Sequence, residues 1–325
     1  MLEAFAATDP PTQVTVDGKG VHWHCTASRG NRSAYVSCFA SMGVEYAASY
    51  DEESSRVAHG RTSSPDRAIA VVADWLGGAT LERLYERYDF VDRRKRQLSA
   101  ILAHVVEKTP AVAELPQAGL VSEFSEFFTL QFGDEVRGCR LSYYGDNELP
   151  DAVFSWDRCA LFSYQPDDLD ILARLVSRWI CDAAMPSAIR EEYPWLEIGD
   201  VADAYEQGRG VEGEFIDSWD HMQDFFADLP LGLIPRIAPF LAAMRSHGFD
   251  RTLRAGQSMA TLILSRARRH GLGPGAPHLA FNFYDAGVTA ELSGVGNGRQ
   301  VSNATLELND DILELLRALE AEPIR

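Results

Sequence analysis

Two histidines one residue apart, in His22-Trp23-His24, are the most metal-like feature of this sequence. On a strand, positions i and i+2 point to the same side, so two imidazoles there can share a cation. A site needs a third ligand, and no residue nearby supplies one at a recognisable spacing, so no metal is expected. The five cysteines, Cys25, Cys38, Cys139, Cys159 and Cys181, are odd in number and scattered, with no C-x-x-C pair. They predict free or buried thiols, neither a disulfide framework nor a zinc knuckle. Gly294-Val295-Gly296-Asn297-Gly298 has the glycines of a phosphate loop but runs through Arg299-Gln300-Val301 into a strand-like segment. A dinucleotide site must follow a strand and open a helix, so this stretch reads as a hairpin turn. Neither a serine elbow nor a cysteine at a helix start is present, and no cofactor is expected.

Charge is the stronger signal. The formal net charge of −18 argues against nucleic-acid binding, which needs clustered Lys and Arg to displace counterions. The acids are densest between 200 and 228, where Asp200, Asp203, Glu206, Glu212, Glu214, Asp217, Asp220, Asp224 and Asp228 stand against the single Arg209. This stretch predicts either a solvated helix face or a docking surface for a basic peptide or protein, whose encounter such a field would speed. Arg93-Arg94-Lys95-Arg96 is the one strong basic run. It falls at a helix start, where the dipole makes cations mildly unfavourable. It reads as a solvated face, or as a contact for an anion or for the acidic stretch. Arg266, Arg268, Arg269 and His270 form a second cluster, too short for nucleic-acid binding. Carboxylates are plentiful, and sequence does not say which two come within acid–base distance.

The elements that must position these groups follow from periodicity. At 325 residues the chain predicts two or three units. The first, 1–112, opens on a loose lead-in through Asp9-Pro10-Pro11-Thr12. Strand-like runs follow at Val14 to Val16, Val21 to Thr26, Ser33 to Phe39, Gly43 to Ser49 and Ser55 to Gly60, with a turn at Ser41-Met42-Gly43. Ser63-Ser64-Pro65-Asp66 supplies helix-start chemistry, with the Asp66 carboxylate accepting from first-turn amides, and Gly77-Gly78 stop that helix. Leu98, Ile101, Leu102, Val105 and Val106 share one face of a helix from Arg93 to Lys108. A linker is expected over 110–119.

The second unit, 113–228, repeats the order. Strand signals run from Phe124 to Phe132, Gly138 to Tyr144, Val153 to Trp156 and Cys159 to Tyr164, before a helix capped in Pro166-Asp167-Asp168-Leu169-Asp170. Asp66 to Trp75 and Asp170 to Trp179 match, each an aspartate followed nine residues later by tryptophan on the apolar stripe. Tyr193-Pro194-Trp195-Leu196 then stands where Tyr88-Asp89-Phe90-Val91 stood. Order conserved over so many landmarks predicts an internal duplication. The third unit, 229–325, diverges: a helix from Ile234 to His247 with Pro239 inside, strands at Met259 to Leu264, His278 to Tyr284, Val288 to Leu292 and Val301 to Leu308, and a closing helix from Asp310 or Asp311. Strands grouped before helices and joined by short turns predict an α+β fold of antiparallel sheets, two related copies plus a divergent third. Trp75 and Trp179 are expected in the core. Tyr143, Tyr144, Trp156 and Tyr164 either pack the sheets or line a groove.

The order Gly60-Arg61-Thr62, Asp66, Trp75-Leu76, Tyr88-Asp89-Phe90-Val91, then Tyr193-Pro194-Trp195-Leu196, Ala204-Tyr205-Glu206 and Trp219 resembles an actinobacterial family of unknown function. That family is named for its occurrence in natural-product biosynthetic gene clusters. The resemblance covers most of residues 55–265 and extends to Phe249-Asp250-Arg251-Thr252-Leu253 and Gln257-Ser258-Met259-Ala260-Thr261-Leu262, where this chain lacks the family's aromatic-rich, His-containing segment. It implies a bacterial secondary-metabolism setting and carries over no catalytic residue.

Two functions are therefore expected. One is an accessory or binding protein of such a pathway, engaging a basic peptide or protein through the acidic stretch, or a small-molecule natural product. The alternative is a tailoring enzyme with a pocket between the α+β units. No apolar run reaches the length of a membrane span and no signal peptide opens the chain, so a cytoplasmic location is expected.

Overall fold

Alternation of small apolar and polar residues, as in Ala34-Tyr35-Val36-Ser37-Cys38, gives strands with one buried and one open face. A computed structural model describes residues 12–19, 22–39, 45–115, 117–124, 127–144, 147–228, 234–269, 271–284 and 287–325. The features expected at 9–11, 41–43, 229–230 and His270, and the side chain of His22, lie outside the described residues.

Three five-stranded antiparallel meanders, each followed by helix, make the fold α+β with repeated units. The first runs β1 (Gln13–Lys19), β2 (His22–Arg29), β3 (Arg32–Phe39), β4 (Glu45–Glu52) and β5 (Ser55–Thr62), in that spatial order. Glu53 and Ser54, both at positive φ, form the two-residue turn into β5, whose twist suits a hairpin. Helix α1 (Pro65–Leu76) then buries Val71, Val72, Trp75 and Leu76 with Ala34, Val36, Ala48 and Tyr50 of the sheet. Its N-cap is Ser64, whose hydroxyl accepts from the Arg67 amide at 3.3 Å; the expected cap, Asp66, sits inside the first turn and serves the helix dipole. α2 (Leu81–Arg87) and α3 (Arg93–Lys108) follow, and Leu98, Ile101 and Val105 of α3 are buried as their spacing requires.

The second meander is β6 (Ala118–Phe124), β7 (Phe127–Gly133), β8 (Arg137–Ser142), β9 (Asp151–Trp156) and β10 (Cys159–Tyr164). Two expectations change here. Most of the supposed linker is structured, since Pro110–Glu114 forms a 3-10 turn and Ala118 already belongs to a strand. The expected arm from Phe124 to Phe132 is the meeting of two strands. α4 (Leu169–Val176) is capped by Asp168, which accepts from the Asp170 and Ile171 amides, and continues as a π-helical turn, Ser177–Cys181, that buries Trp179.

Short helices α5 (Pro186–Glu192) and α6 (Asp200–Glu206) lead to α7 (Gly210–Asp228) and α8 (Ile234–Ser246), where Pro239 removes one ladder hydrogen bond. The third meander is β11 (Arg254–Ser258), β12 (Thr261–Ser265), β13 (His278–Tyr284), β14 (Gly287–Ser293) and β15 (Arg299–Asn303). The strand expected from Met259 to Leu264 is β12, which begins only at Thr261; Met259, at positive φ, turns the chain into it from β11, a strand that was not expected. Gly294 to Gly298 is the turn before β15. α9 (Asp310–Glu320), capped by Asn309, buries Ile312, Leu315, Leu316 and Leu319 in one core with Leu262, Leu264, Leu279, Phe281, Val288 and Leu292.

The copies agree below the level of element order. Tyr88 and Tyr193 each end a short helix, and each amide donates at 2.8 Å four residues back, to Leu84 and to Ile189. Each tyrosine carbonyl accepts from the residue three further on, Val91 and Leu196, and each ring meets the aromatic two positions on edge to face. By the density of its contacts the chain divides into two compact units, 1–153 with 164–182, and 154–163 with 183–325.

Candidate functional site

A concavity lies within the first of these units. It is a groove of about 640 Å³ lined by Glu45, His59, Gly60, Arg61, Phe90, Arg93, Arg94, Gln97, Phe127, Tyr143, Asn147 and Glu148. Each wall has a local cause. β5 presents His59 and Arg61 on alternate residues, so they share one side of the strand. The segment between α2 and α3 comes against this strand at Gly60, where a Cβ would stand 2.9 Å from the Phe90 ring and 3.0 Å from its carbonyl oxygen; Gly60 and Val91 form a bridge there. Glycine thus lets Phe90 and the head of α3 approach, and α3 delivers Arg93 and Arg94. The second meander supplies Phe127 from the start of β7 and Tyr143 just beyond β8, with the Arg94 guanidinium 5.3 Å over the Tyr143 ring.

Asp92, the residue before α3, fixes His59. It is 1 % exposed and holds the left-handed conformation (φ 48°), uncommon outside glycine. Its amide donates to the His59 carbonyl at 2.7 Å, and its Oδ1 accepts from the His59 amide at 3.0 Å. The same oxygen stands 3.2 Å from the His59 Nδ1, while Oδ2 accepts from the Tyr85 hydroxyl at 2.8 Å. Burial first, then the bond to Asp92, push the Tyr85 hydroxyl well above the usual phenol range, so it remains a donor. Lys95 Nζ is 3.9 Å from Oδ2, and the imidazole stacks on the Phe128 ring.

The basic run Arg93 to Arg96 therefore divides. Arg93 and Arg94 face the groove, Lys95 approaches Asp92, and Arg96 turns back to the Tyr85 and Asp89 carbonyls. Cations at a helix start were the available signal, because a locally unfavourable choice points to a reason elsewhere. Tyr143 lies in a groove as one of its two readings required. His59, Asp92 and Phe127 had no signal of their own.

The acidic stretch does not form one open patch. Asp203 pairs with Arg190 at 2.8 Å, Glu206 accepts from the Ser187 amide and hydroxyl, and Glu212 pairs with Arg209 at 3.0 Å. Asp220 pairs with Arg245 at 2.6 Å, and Asp217 stands 3.3 Å from the His221 Nδ1. Burial raises the Asp217 carboxyl above its ordinary value. Asp200 and Asp224 are exposed.

Glu214 points inward, and its carboxylate sits at the centre of a charge cluster. It is 4 % exposed and accepts from the Tyr205 hydroxyl, from Arg268 Nε and Nη2 at 3.1 and 2.8 Å, and from Arg269 Nη1 at 3.1 Å. Both arginines also reach Asp157 in the β9–β10 turn. Both Glu214 oxygens are therefore engaged by side chains of this cluster. The Cys159 thiol beside it is pushed up to about 11, by burial first and then by the Glu214 charge, so it is not an activated nucleophile. Arg266, of the same basic cluster, donates to the Glu322 and Thr252 carbonyls.

Elsewhere, His24 packs against the Tyr35 ring, and no three His, Cys, Asp or Glu side chains converge as a metal site among the described residues. No helix described is long and apolar enough to cross a membrane. Compared with protein-family models, curated proteins and solved structures, the chain matches none of them.

Proposed function

We propose that this protein is an accessory binding protein whose ligand is a small organic molecule taken up in the groove of the first unit. The observation that carries the reading is the lining itself: three aromatic rings, Phe90, Phe127 and Tyr143, beside His59 and three arginines in about 640 Å³. That volume falls in the range of drug-sized ligand sites, and an apolar wall with a few convergent polar groups is their usual make-up. The natural-product setting implied by the sequence resemblance supplies ligands of this size. A basic macromolecular partner is the weaker reading, because most of the carboxylates it would use already have partners in the chain.

Titration with 1-anilinonaphthalene-8-sulfonate, a fluorescent molecule of fused rings and one anionic group, tests the site. One saturable site is expected, weakened at least tenfold by Phe127→Ala with Tyr143→Ala and unchanged by Trp195→Ala, which removes an exposed ring of the second unit. Absence of saturation, or equal sensitivity to the Trp195 change, would overturn the reading.

A further inference from the structure

We infer that the groove's ligand is a ring-bearing organic acid bound as its anion, and that it binds together with one proton, taken up by His59. The inference rests on the groove being the ligand site and names the ligand's class.

The first part follows from charge. In a chain of net charge −18, this groove gathers Arg61, Arg93 and Arg94 against Glu45 and Glu148. Glu45 lies 3.3 Å from Arg61. A concavity with a surplus of one sign concentrates ligands of the other. The rings of Phe90, Phe127 and Tyr143 line the same space, so an anion attached to a flat apolar body satisfies both kinds of wall.

The second part follows from what faces His59. Asp92, 3.2 Å from Nδ1, favours the imidazolium. Arg61 on its own strand, Arg93 and Arg94 at the head of α3, and Lys95 beside Asp92 oppose it; the Tyr85 hydroxyl engages Asp92 from α2, and Glu45 lines the groove from β4. An anion seated among the arginines offsets their repulsion, so the imidazole gains proton affinity when the groove fills. By linkage, a site that takes up a proton with its ligand binds more tightly as pH falls, by at most about tenfold per unit for one proton.

Calorimetric titration with 2-naphthoate at pH 7, in Bis-Tris and in Tris, measures proton uptake from the difference in apparent enthalpy. Both buffers are cationic and do not compete for the arginines. Uptake of a measurable fraction of one proton is expected, with affinity falling between pH 6 and 8. His59→Gln, which keeps the backbone clamp to Asp92, should bind 2-naphthoate with no uptake and a flat pH profile. The neutral 2-naphthalenemethanol should bind at least tenfold more weakly, and Arg93→Met with Arg94→Met should abolish that preference. Tight 2-naphthoate binding without uptake, or uptake that survives His59→Gln, sinks the proton coupling alone. If the anilinonaphthalene probe saturates the groove and 2-naphthalenemethanol binds it as tightly as 2-naphthoate, the ligand class is wrong and the binding function stands. If neither binds, both readings fall.

Discussion

The Arg137 guanidinium lies 3.9 Å from the centroid of the Trp179 ring. Arg32 lies 4.0 Å from that of Trp75. Each arginine is the first residue of the third strand of its meander, and each tryptophan is the ninth residue beyond the aspartate that marks its helix. In the third meander these two positions hold His278 and Leu319, so the pair is absent there. Arg32 also donates to the carbonyls of Trp75 and Ala79 at the end of α1, which makes it a helix C-cap as well as a lid on the ring.

The pair should matter most where it is driest. Trp179 is fully buried and Arg137 is 8 % exposed, and burial lowers the arginine to about 10, an unusual value for a guanidinium. Trp179→Ala is expected to cost about 3–5 kcal/mol, the range for large aromatic truncations in cores. Arg137→Met should cost on the order of 2 kcal/mol, the size of a desolvated cation–π contact. Urea unfolding followed by circular dichroism measures both. A cost for Arg137→Met no larger than that of an exposed arginine would show that the stacking is incidental.

A second contact gives a pH dependence with a definite sign. Asp170 accepts from the His104 ring at 2.8 Å and pairs with Lys108 at 3.2 Å, joining α3 to α4. The His104 hydrogen bond, then Lys108, hold its carboxyl below the ordinary aspartate value. A depressed carboxyl contributes stability above its unfolded value, near pH 3.9, and loses that contribution as pH falls through the folded one. The difference in melting temperature between wild type and Asp170→Asn should therefore be present at pH 5, vanish towards pH 3, and shrink in 0.5 M salt, because the group is open to solvent. A difference that persists at pH 3 would assign the effect to packing.

The thiols give a third test. Cys25, Cys38 and Cys139 are buried, Cys159 is half-buried with its thiol pushed up to about 11, and Cys181 is exposed. Reactivity follows thiolate fraction and access. A disulfide reagent at pH 8 should modify one thiol of the native protein quickly, with Cys181→Ser removing that phase, and all five in denaturant. Fast labelling of a second thiol would mean that the native packing around the other four opens readily.

Why the fold could be read and the groove could not comes down to range. Period-2 runs such as Ala34 to Cys38 and the i, i+3, i+4 stripe of α3 are local, so strand and helix followed from sequence, as did the duplication marked by Trp75 and Trp179. Boundaries failed where a short turn lacks Gly-rich punctuation: Met259 takes positive φ without being glycine, so the turn reads as the start of β12 and β11 before it goes unread. The cap went to Ser64 and not Asp66 because Pro65 occupies the first helical position and leaves the residue before it to cap. The groove joins β5, the head of α3 and the ends of β7 and β8, and that junction depends on Gly60 meeting Phe90, which no window of sequence contains. Glu214 shows the same limit: its neighbours in sequence are acidic, whereas its neighbours in space are Arg268 and Arg269.

That limit makes Glu214 the sharpest stability test in the acidic stretch. Removing one member of a buried, hydrogen-bonded charge cluster costs about 3–5 kcal/mol, because the remaining charges lose their partner. Glu214→Ala should reach that range, while Asp224→Asn, on the exposed face of the same helix, should stay within about 0.5 kcal/mol. Adding Arg268→Ala and Arg269→Ala to Glu214→Ala should cost less than the separate effects summed, since the three side chains form one network. Urea unfolding of the five variants decides it. Equal effects for Glu214 and Asp224 would mean that Glu214 is solvated in the native state and belongs to the open acidic surface after all.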